Sequence, residues 1–183
     1  MPEDIVVAQC SPTMAGLKTG NLFTCRMESK RETDDSIRRF NARFASRGVR
    51  LLLLKYDARR ALVYMYRPAR LEKDLAHPLA IKILIDMGYP AGSPALCVQH
   101  LIRRLQADSF PHEIGLFLGY PPEDVHGFIE HGARHAKCVG VWKVYGDEQA
   151  AREKFELFRK CRSVYCECYR KHRCFDRLVV ATA

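Results

Sequence analysis

Apolar side chains recur along much of this chain with the spacing of helices. Ile37, Phe40 and Phe44 form one such stripe, which follows a polar cap at Thr33-Asp34-Asp35 and ends before Gly48. Acidic and hydroxyl residues favour helix starts, and glycine favours helix ends. The pattern therefore predicts a helix whose inward face carries these three residues.

Continuous apolar runs interrupt the helical pattern. Val49 to Tyr56 (VRLLLLKY) and Ala61 to Arg67 (ALVYMYR) are separated only by Asp57-Ala58-Arg59-Arg60. Two runs of this length joined by a short turn predict an antiparallel hairpin. A further run, Val139 to Tyr145 (VGVWKVY), predicts a third strand.

Prolines, glycines and caps predict helices over most of the remaining chain. Proline just after a cap residue favours helix starts at Pro12-Thr13 and at Ser93-Pro94. We expect an α+β protein with one domain over residues 1–183, in which several helices cover a small antiparallel sheet made of the hairpin plus a third strand. The predicted helices cover residues 12–25, 71–87, 93–105, 112–118 and 121–131, and a long C-terminal helix runs from Gly146-Asp147 to about His172.

The composition is that of a globular protein with excess positive charge. Hydrophobic residues make up 48% and charged residues 28% of the 183, and the formal net charge is +9. No apolar run approaches the ~18 residues of a membrane helix, and the acidic start MPEDIVVAQC is unlike a signal peptide. We expect no membrane association and a cytoplasmic location. Thirteen Lys and Arg residues between Arg26 and Arg70 suggest a nucleic acid or an acidic protein as partner, and a plain solvated surface is the competing interpretation of this charge.

The eight cysteines are expected to be reduced thiols in that compartment. Cys161, Cys166, Cys168 and Cys174 lie near the C-terminus together with His172. On a helix Cys166 and Cys168 point about 200° apart. Since no CxxC pair is present either, these residues predict no metal site. The sequence names no cofactor.

The segment from Ser109 to His131 (SFPHEIGLFLGYPPEDVHGFIEH) is dense in titratable side chains beside stiff backbone. His112 and Glu113 fall in the first turn of a predicted helix, where the positive helix end disfavours an imidazolium. We expect a neutral His112 that acts as a base or ligand, with Glu113 as its orienting residue.

Cys10 directly precedes the predicted helix start at Pro12-Thr13. Free N–H groups at a helix N-terminus stabilise a thiolate, so Cys10 is a candidate nucleophile or ligand. With His112 it would form a thiol–imidazole dyad. Lys18 and Asn21 lie further along the same predicted helix and are expected to bind a substrate.

Lys143 and Asp147 lie where the predicted third strand meets the C-terminal helix. A strand that ends just before a helix can place them at the rim of a pocket, with Lys143 contacting an anion or a carbonyl. A helix cap is the competing interpretation for Asp147.

Two other interpretations of the 109–131 segment remain open. Leu118-Gly119-Tyr120 has the spacing of a helix-turn-helix, but the second helix offers acidic residues rather than the basic and amide side chains that read bases. Alternatively, a strand led by His112 after an N-terminal cysteine would be similar in order to papain-like thiol hydrolases, although their cysteine motif is absent.

Four blocks of the sequence resemble a known family. They are CSPTMAGLKTGNLF, ALVYMYR, FPHEIGLFLGYPPEDVHGFI, and GVWKVYGD before a helix that bears Cys161. Together they resemble, over nearly the whole chain, domain-of-unknown-function family 3793, small proteins mainly of clostridia and related anaerobes with no established activity. The resemblance implies a cytoplasmic protein of an anaerobe. It also implies shared blocks that contain Cys10, Lys18, His112, Glu113, Lys143 and Asp147.

The leading hypothesis is a thiol-dependent enzyme that acts on a small molecule or peptide. The alternative is a non-catalytic binding module whose basic surface contacts nucleic acid or an acidic protein. In the enzyme, the catalytic residues would be Cys10, His112 and Glu113, and the binding residues Lys18, Asn21, Lys143 and Asp147.

Overall fold

The computed structural model describes residues 1–90, 92–107 and 110–181. It confirms the α+β class, with a three-stranded antiparallel sheet, several helices and a long C-terminal helix. The chain divides into two compact units. The first unit contains Met1–Ala69 and Phe158–Ala183, and the second contains Arg70–Leu157. The single domain expected from the sequence stays a prediction.

The first unit is built on the sheet. Its elements are α1 (Glu3–Met14), β1 (Gly20–Arg26), α2 (Lys30–Phe44), β2 (Arg50–Asp57) and β3 (Arg60–Tyr66). The strand order is β1-β3-β2, and both pairings are antiparallel. The predicted hairpin of β2 and β3 is confirmed. Its turn residues Ala58 and Arg59 have positive φ angles of 43° and 62°, as tight hairpin turns require.

The predicted first helix is wrong in position. α1 begins at Glu3 and contains Pro12 near its end, whereas residues 20–26 form β1. Glu3 and Asp4 in the first turn stabilise the helix through its dipole, and a proline in the last turn removes only one helical hydrogen bond. The third strand of the sheet is therefore β1 and not the 139–145 run.

α2 carries the predicted apolar stripe but begins earlier than predicted. Ser29, and not the polar cluster at residues 33–35, is the N-cap, since its hydroxyl oxygen accepts the Glu32 N–H at 3.1 Å. Ile37 and Phe44 are buried in the core of the first unit, and Phe40 packs against that core. Gly48 ends the short 3-10 turn that follows, with a φ of 74°.

Arg67, the residue after β3, is the largest fully buried side chain among the described residues. Its guanidinium donates to the carbonyl oxygens of Thr13 and Met14 at 2.7 Å each, of Val180 at 2.8 Å and of Arg47 at 3.2 Å. Carbonyls at a helix C-terminus lack partners within the helix. Arg67 therefore satisfies the end of α1, and the negative end of the helix dipole stabilises its charge.

The second unit consists mainly of short helices. The predicted helix over residues 71–87 is two helices, because Pro78 cannot continue the first and His77 Nδ1 caps the second by accepting the Leu79 N–H at 3.3 Å. The predicted strand over 139–145 is instead a minute hairpin. The elements in chain order are α3 (Pro68–Leu75), α4 (Pro78–Asp86), α5 (Pro94–Arg104), α6 (Ile114–Phe117), α7 (Pro122–His131), β4 (Cys138–Val139) and β5 (Lys143–Val144).

The helices predicted over residues 93–105 and 121–131 are confirmed by α5 and α7, and the C-terminal helix by α8 (Glu148–His172). The helix predicted over 112–118 is only the single turn α6. Its expected start at Ser109 lies outside the described residues. No helix in the described part of the chain has both the length and the apolar character needed to cross a bilayer.

Replacing Arg67 by Lys is expected to lower the free energy of unfolding by about 3 kcal/mol or more, because a lysine ammonium cannot reach all four buried carbonyls. Urea unfolding of the purified protein measures this loss. Arg50→Lys, an exposed arginine on the same hairpin, is the matched control and should change stability by no more than about 0.5 kcal/mol. Equal effects of the two substitutions would show that the Arg67 hydrogen bonds contribute little.

Candidate functional site

Cys10 lies in the C-terminal half of α1, not at a helix N-terminus. The expected reason for a stabilised thiolate is therefore wrong, since this half of the helix carries negative potential. The side chain is 0% exposed and packs in the core of the first unit with Val6, Val7 and Met14. Burial raises the pKa of the Cys10 thiol, and the nearby Lys18 lowers it by a smaller amount. Cys10 is thus a neutral thiol near neutral pH.

Lys18 is a buried cation of the first unit. It follows α1 rather than continuing it, and its side chain is 4% exposed. Burial lowers the pKa of the Lys18 ammonium to about 8, against a smaller opposing effect of Cys10. For both residues burial outweighs their mutual attraction, so the pair is not a thiolate–ammonium ion pair. An amine with this lowered pKa is a weaker base than an ordinary lysine, but a larger fraction of it is neutral and able to accept a proton near neutral pH.

Asn21 lies in β1 rather than on the first helix. Its Oδ1 accepts a hydrogen bond from Thr13 Oγ1 at 2.8 Å, which ties the start of the sheet to the end of α1. Ser11 and Thr13 are also buried, and the Ser11 hydroxyl donates to the Val7 carbonyl. The end of α1 therefore holds polar side chains that bond to one another or to the backbone.

Glu113 belongs to a buried polar cluster of the second unit. It is 1% exposed, its Oε1 lies 2.5 Å from Arg104 Nε, and the Tyr89 hydroxyl donates to the same oxygen at 2.8 Å. Burial first, and then the hydrogen bond to Glu113, raise the pKa of the Tyr89 hydroxyl. Burial and the neighbouring arginines lower the pKa of His100, whose ring lies 4.4 Å from that of Tyr89. Glu113 is therefore held by an ion pair with Arg104 and a hydrogen bond from Tyr89.

His112, Lys143 and Asp147 occupy less enclosed positions of the second unit. The His112 ring is exposed and meets the Phe128 ring edge-on at 4.9 Å. Lys143 is half-buried in β5, opposite Val139. Asp147 is exposed, and its Oδ1 accepts the Ala150 N–H at 3.0 Å, so the cap interpretation is confirmed. The predicted site residues divide between the units: Cys10, Lys18 and Asn21 belong to the first, and His112, Glu113, Lys143 and Asp147 to the second.

Asp124 accounts for part of the acidic character of the 109–131 segment. Its carboxylate is buried and accepts three hydrogen bonds, from Trp142 Nε1 and the Tyr145 N–H at 2.7 Å and from the Gly146 N–H at 2.8 Å. It thereby fastens the β4–β5 hairpin to α7. Gly127 allows the same contact, since a Cβ there would lie 2.4 Å from the Tyr145 ring. At least one acidic residue of the 109–131 segment therefore stabilises the fold of the second unit.

No group of three or more His, Cys, Asp and Glu side chains within the described ranges could hold a metal ion. The four C-terminal cysteines are half-buried and spread along α8 and just beyond it. All eight cysteines are free thiols in the structure.

Charge divides unequally between the two units. The first contains twenty Lys and Arg against nine Asp and Glu, a net charge of +11, whereas the second contains ten against twelve, a net charge of −2. Fifteen of the twenty cations of the first unit are arginines. The overall charge of +9 is therefore a property of one unit.

Sequence reasoning missed the residues with the most elaborate polar surroundings. Arg67, Arg104 and Tyr89 were not among the predicted site residues. The sequence did contain a signal for Arg67, because it is the one charged residue of the predicted strand run Ala61 to Arg67 and directly precedes Pro68. Asp124 had no such signal, since three of its donors lie about twenty residues away in the chain.

The fold and its polar clusters define an α+β protein with a buried Glu113–Arg104 ion pair and a strongly basic first unit. The chain belongs to the family described as "Protein of unknown function (DUF3793)", whose sequence profile matches residues 6–179. The resemblance found in the sequence blocks is thereby confirmed. No curated protein and no solved structure matches the chain.

Cys10 is expected to resist alkylation in the folded protein, because the thiol is both inaccessible and held neutral. Iodoacetamide labelling followed by peptide mass spectrometry measures the rate at each cysteine. Cys174, which is half-buried, is the internal comparison and should react faster. A native Cys10 that reacts as fast as in urea would restore the activated-thiolate hypothesis.

Lys18→Met is expected to change the pH dependence of stability. The Lys18 pKa is about 8 when folded against an ordinary 10.5, so the unfolded chain binds the extra proton above about pH 8 and stability rises with pH there. Between about pH 7 and pH 9 the wild type should gain about 1 kcal/mol relative to Lys18→Met. Urea unfolding across that range tests this. A constant difference between the two proteins would contradict the lowered pKa.

Proposed function

We propose that this protein is a binding module whose first unit contacts the phosphate backbone of a nucleic acid. The observation that carries the proposal is the net charge of +11 on that unit beside −2 on the other. Contact with phosphates dominates the affinity of most nucleic-acid-binding proteins and needs no base-specific side chains. A strongly basic unit can supply such phosphate contacts.

The arginine content supports phosphate as the ligand. Arginine presents a planar fork of donors that matches phosphate oxygens in pairs, whereas lysine offers a point charge. All seven Lys and Arg residues between Phe158 and Leu178 are exposed, and the surface of α2 adds further exposed arginines. The positive charge of the first unit is therefore largely available at its surface.

The hairpin end of the sheet is the best-defined contact region. Arg26 on β1 lies directly opposite Arg60 on β3, and Arg59 occupies the adjoining turn. Like charges in register on neighbouring strands repel. Asp57 lies on the other side of Arg60, but neither Arg26 nor Arg60 forms an ion pair in residues 1–90, 92–107 and 110–181. A bound phosphate would relieve this repulsion.

The surface of α7 does not favour recognition of nucleic-acid bases. The helix carries Glu123 and Glu130 on exposed positions and lies in the unit with a net charge of −2. The proposal is therefore one of backbone contact without sequence specificity.

The thiol-dependent reaction stays a prediction. It requires an accessible thiolate, whereas Cys10 is completely buried and its pKa is raised. Because the first unit would have to open before Sγ could meet a substrate, binding agrees better with the geometry than catalysis does.

The proposal predicts salt-sensitive binding of nucleic acid. Fluorescence anisotropy with a labelled oligonucleotide, single-stranded and as its duplex, should give affinities that fall steeply with salt. The double variant Arg26→Gln/Arg60→Gln should reduce the slope of log K against log salt by roughly 1.5, since each lost phosphate contact removes about 0.7 to 0.9.

The matched control removes two exposed lysines of the second unit, Lys73→Gln/Lys82→Gln, and so changes the net charge equally. Its slope should equal that of the wild type. Equal losses in both double variants would reject the hairpin region as the contact. Binding of poly-glutamate without binding of the oligonucleotide would replace nucleic acid by an acidic protein.

A further inference from the structure

We infer that a cavity in the first unit binds a small amphipathic anion, a carboxylate, sulfonate or phosphate attached to an apolar or aromatic body. This ligand is distinct from the polyanion proposed above. The cavity has a volume of about 380 Å³, and every residue that lines it belongs to the first unit. Ligand sites typically have volumes of about 300 to 1,000 Å³.

Three phenylalanine rings form the apolar wall of the cavity. Phe40 lies 4.8 Å from Phe44 and 6.1 Å from Phe175, and Phe44 lies 5.7 Å from Phe175, measured between ring centroids. The rings are tilted or edge-on to one another, which is the arrangement that aromatic clusters prefer. A planar or branched apolar group would find dispersion contacts on these rings.

Two arginines of α2 supply the positive wall. Arg39 and Arg43 both line the cavity and are four residues apart, so they lie on the same helix face. Arg39 Nη2 donates to Ser36 Oγ at 3.2 Å, and Ser36 also lines the cavity. The Arg43 guanidinium lies 5.3 Å from the Phe44 centroid, so charge and aromatic wall are adjacent.

The remaining charges at the cavity leave it positive. Glu3 is its one acidic lining residue among the described residues, and its Oε2 already accepts the Tyr169 hydroxyl at 2.8 Å. Arg43 is ion-paired with Asp176, whereas Arg39 has no ion-pair partner in the described ranges. An incoming anion would therefore meet Arg39 first and share Arg43 with Asp176.

The test uses 8-anilinonaphthalene-1-sulfonate, which joins a sulfonate to an aromatic body. Titration into the folded protein should give one saturable site by calorimetry and by the rise in probe fluorescence. Arg39→Gln should weaken binding about tenfold, because one charge-assisted contact is lost. Arg31→Gln, an exposed arginine of the same helix outside the cavity, should bind within about twofold of the wild type.

Two comparison probes test the two halves of the ligand. The neutral N-phenyl-1-naphthylamine should bind more weakly than the sulfonate, and inorganic phosphate alone should show no saturable binding. The inference is overturned if the neutral probe binds as tightly, if phosphate alone binds as tightly, or if Arg31→Gln and Arg39→Gln weaken binding equally. Circular dichroism of each variant ensures that the compared proteins are equally folded.

Vesicles distinguish a free ligand from a membrane headgroup. Co-sedimentation with phosphatidylglycerol vesicles should be the same for the wild type and Arg39→Gln, because the anion is expected to enter the cavity whole. Vesicle binding that depends on Arg39 would overturn the assignment to a free small molecule. Oligonucleotide binding is measured separately with the hairpin variants, so failure of either proposal leaves the other intact.

Discussion

The first unit depends on one buried cation. Arg67 joins the end of α1, the turn that follows α2 and the C-terminal segment by donating to carbonyls of all three. A buried guanidinium is costly unless its donors are satisfied, and an unsatisfied helix end is costly as well. Here the carbonyls at the end of α1 satisfy the donors of Arg67, and Arg67 in turn satisfies those carbonyls. The same C-terminal segment is held a second time, since the Val180 N–H donates to the Met14 carbonyl at 3.0 Å and Arg47 donates to the Asp176 and Val179 carbonyls. The sheet, the first helix and the chain end are therefore stabilised together.

This arrangement explains the chemical state of the thiol. The end of α1 is packed against the C-terminal segment, so Cys10 lies in the core, where a charged thiolate would have no water around it. Lys18 is close enough to interact with Cys10 electrostatically, yet it too is buried, and burial dominates both groups. Burial therefore favours the neutral form of both the Cys10 thiol and the Lys18 amine over a thiolate–ammonium ion pair. The interior of the first unit is consequently better suited to stability than to nucleophilic attack, and its surface is the place to look for function.

Local sequence patterns predicted much of the fold, but they did not predict which residues form the buried polar clusters. The β2–β3 hairpin, α2, α5, α7 and α8 follow from apolar spacing, caps and short turns, all of which act within about twenty residues. α1 was misplaced because Pro12 has the form of a helix-start proline, whereas the acidic Glu3 and Asp4 are the actual start. The run from Val139 to Tyr145 has strand composition but pairs with itself through Gly140. Arg67, Glu113 and Asp124 take their importance from partners remote in sequence, and no local pattern carries that information.

The net charges of the two units, +11 and −2, suggest that the units have different roles. Net positive charge destabilises a compact unit through self-repulsion, whereas it keeps a protein soluble and favours association with anions. The first unit tolerates +11 because Arg67 is bound by carbonyl dipoles, Lys18 is partly deprotonated above about pH 8, and several exposed arginines are paired with acids. Within the described ranges, Arg26 and Arg60 at the hairpin end and Arg39 beside the three phenylalanine rings are exposed and form no ion pair. Exposed cations without an acidic partner, on a unit already rich in positive charge, are the residues from which both proposed anionic ligands are inferred.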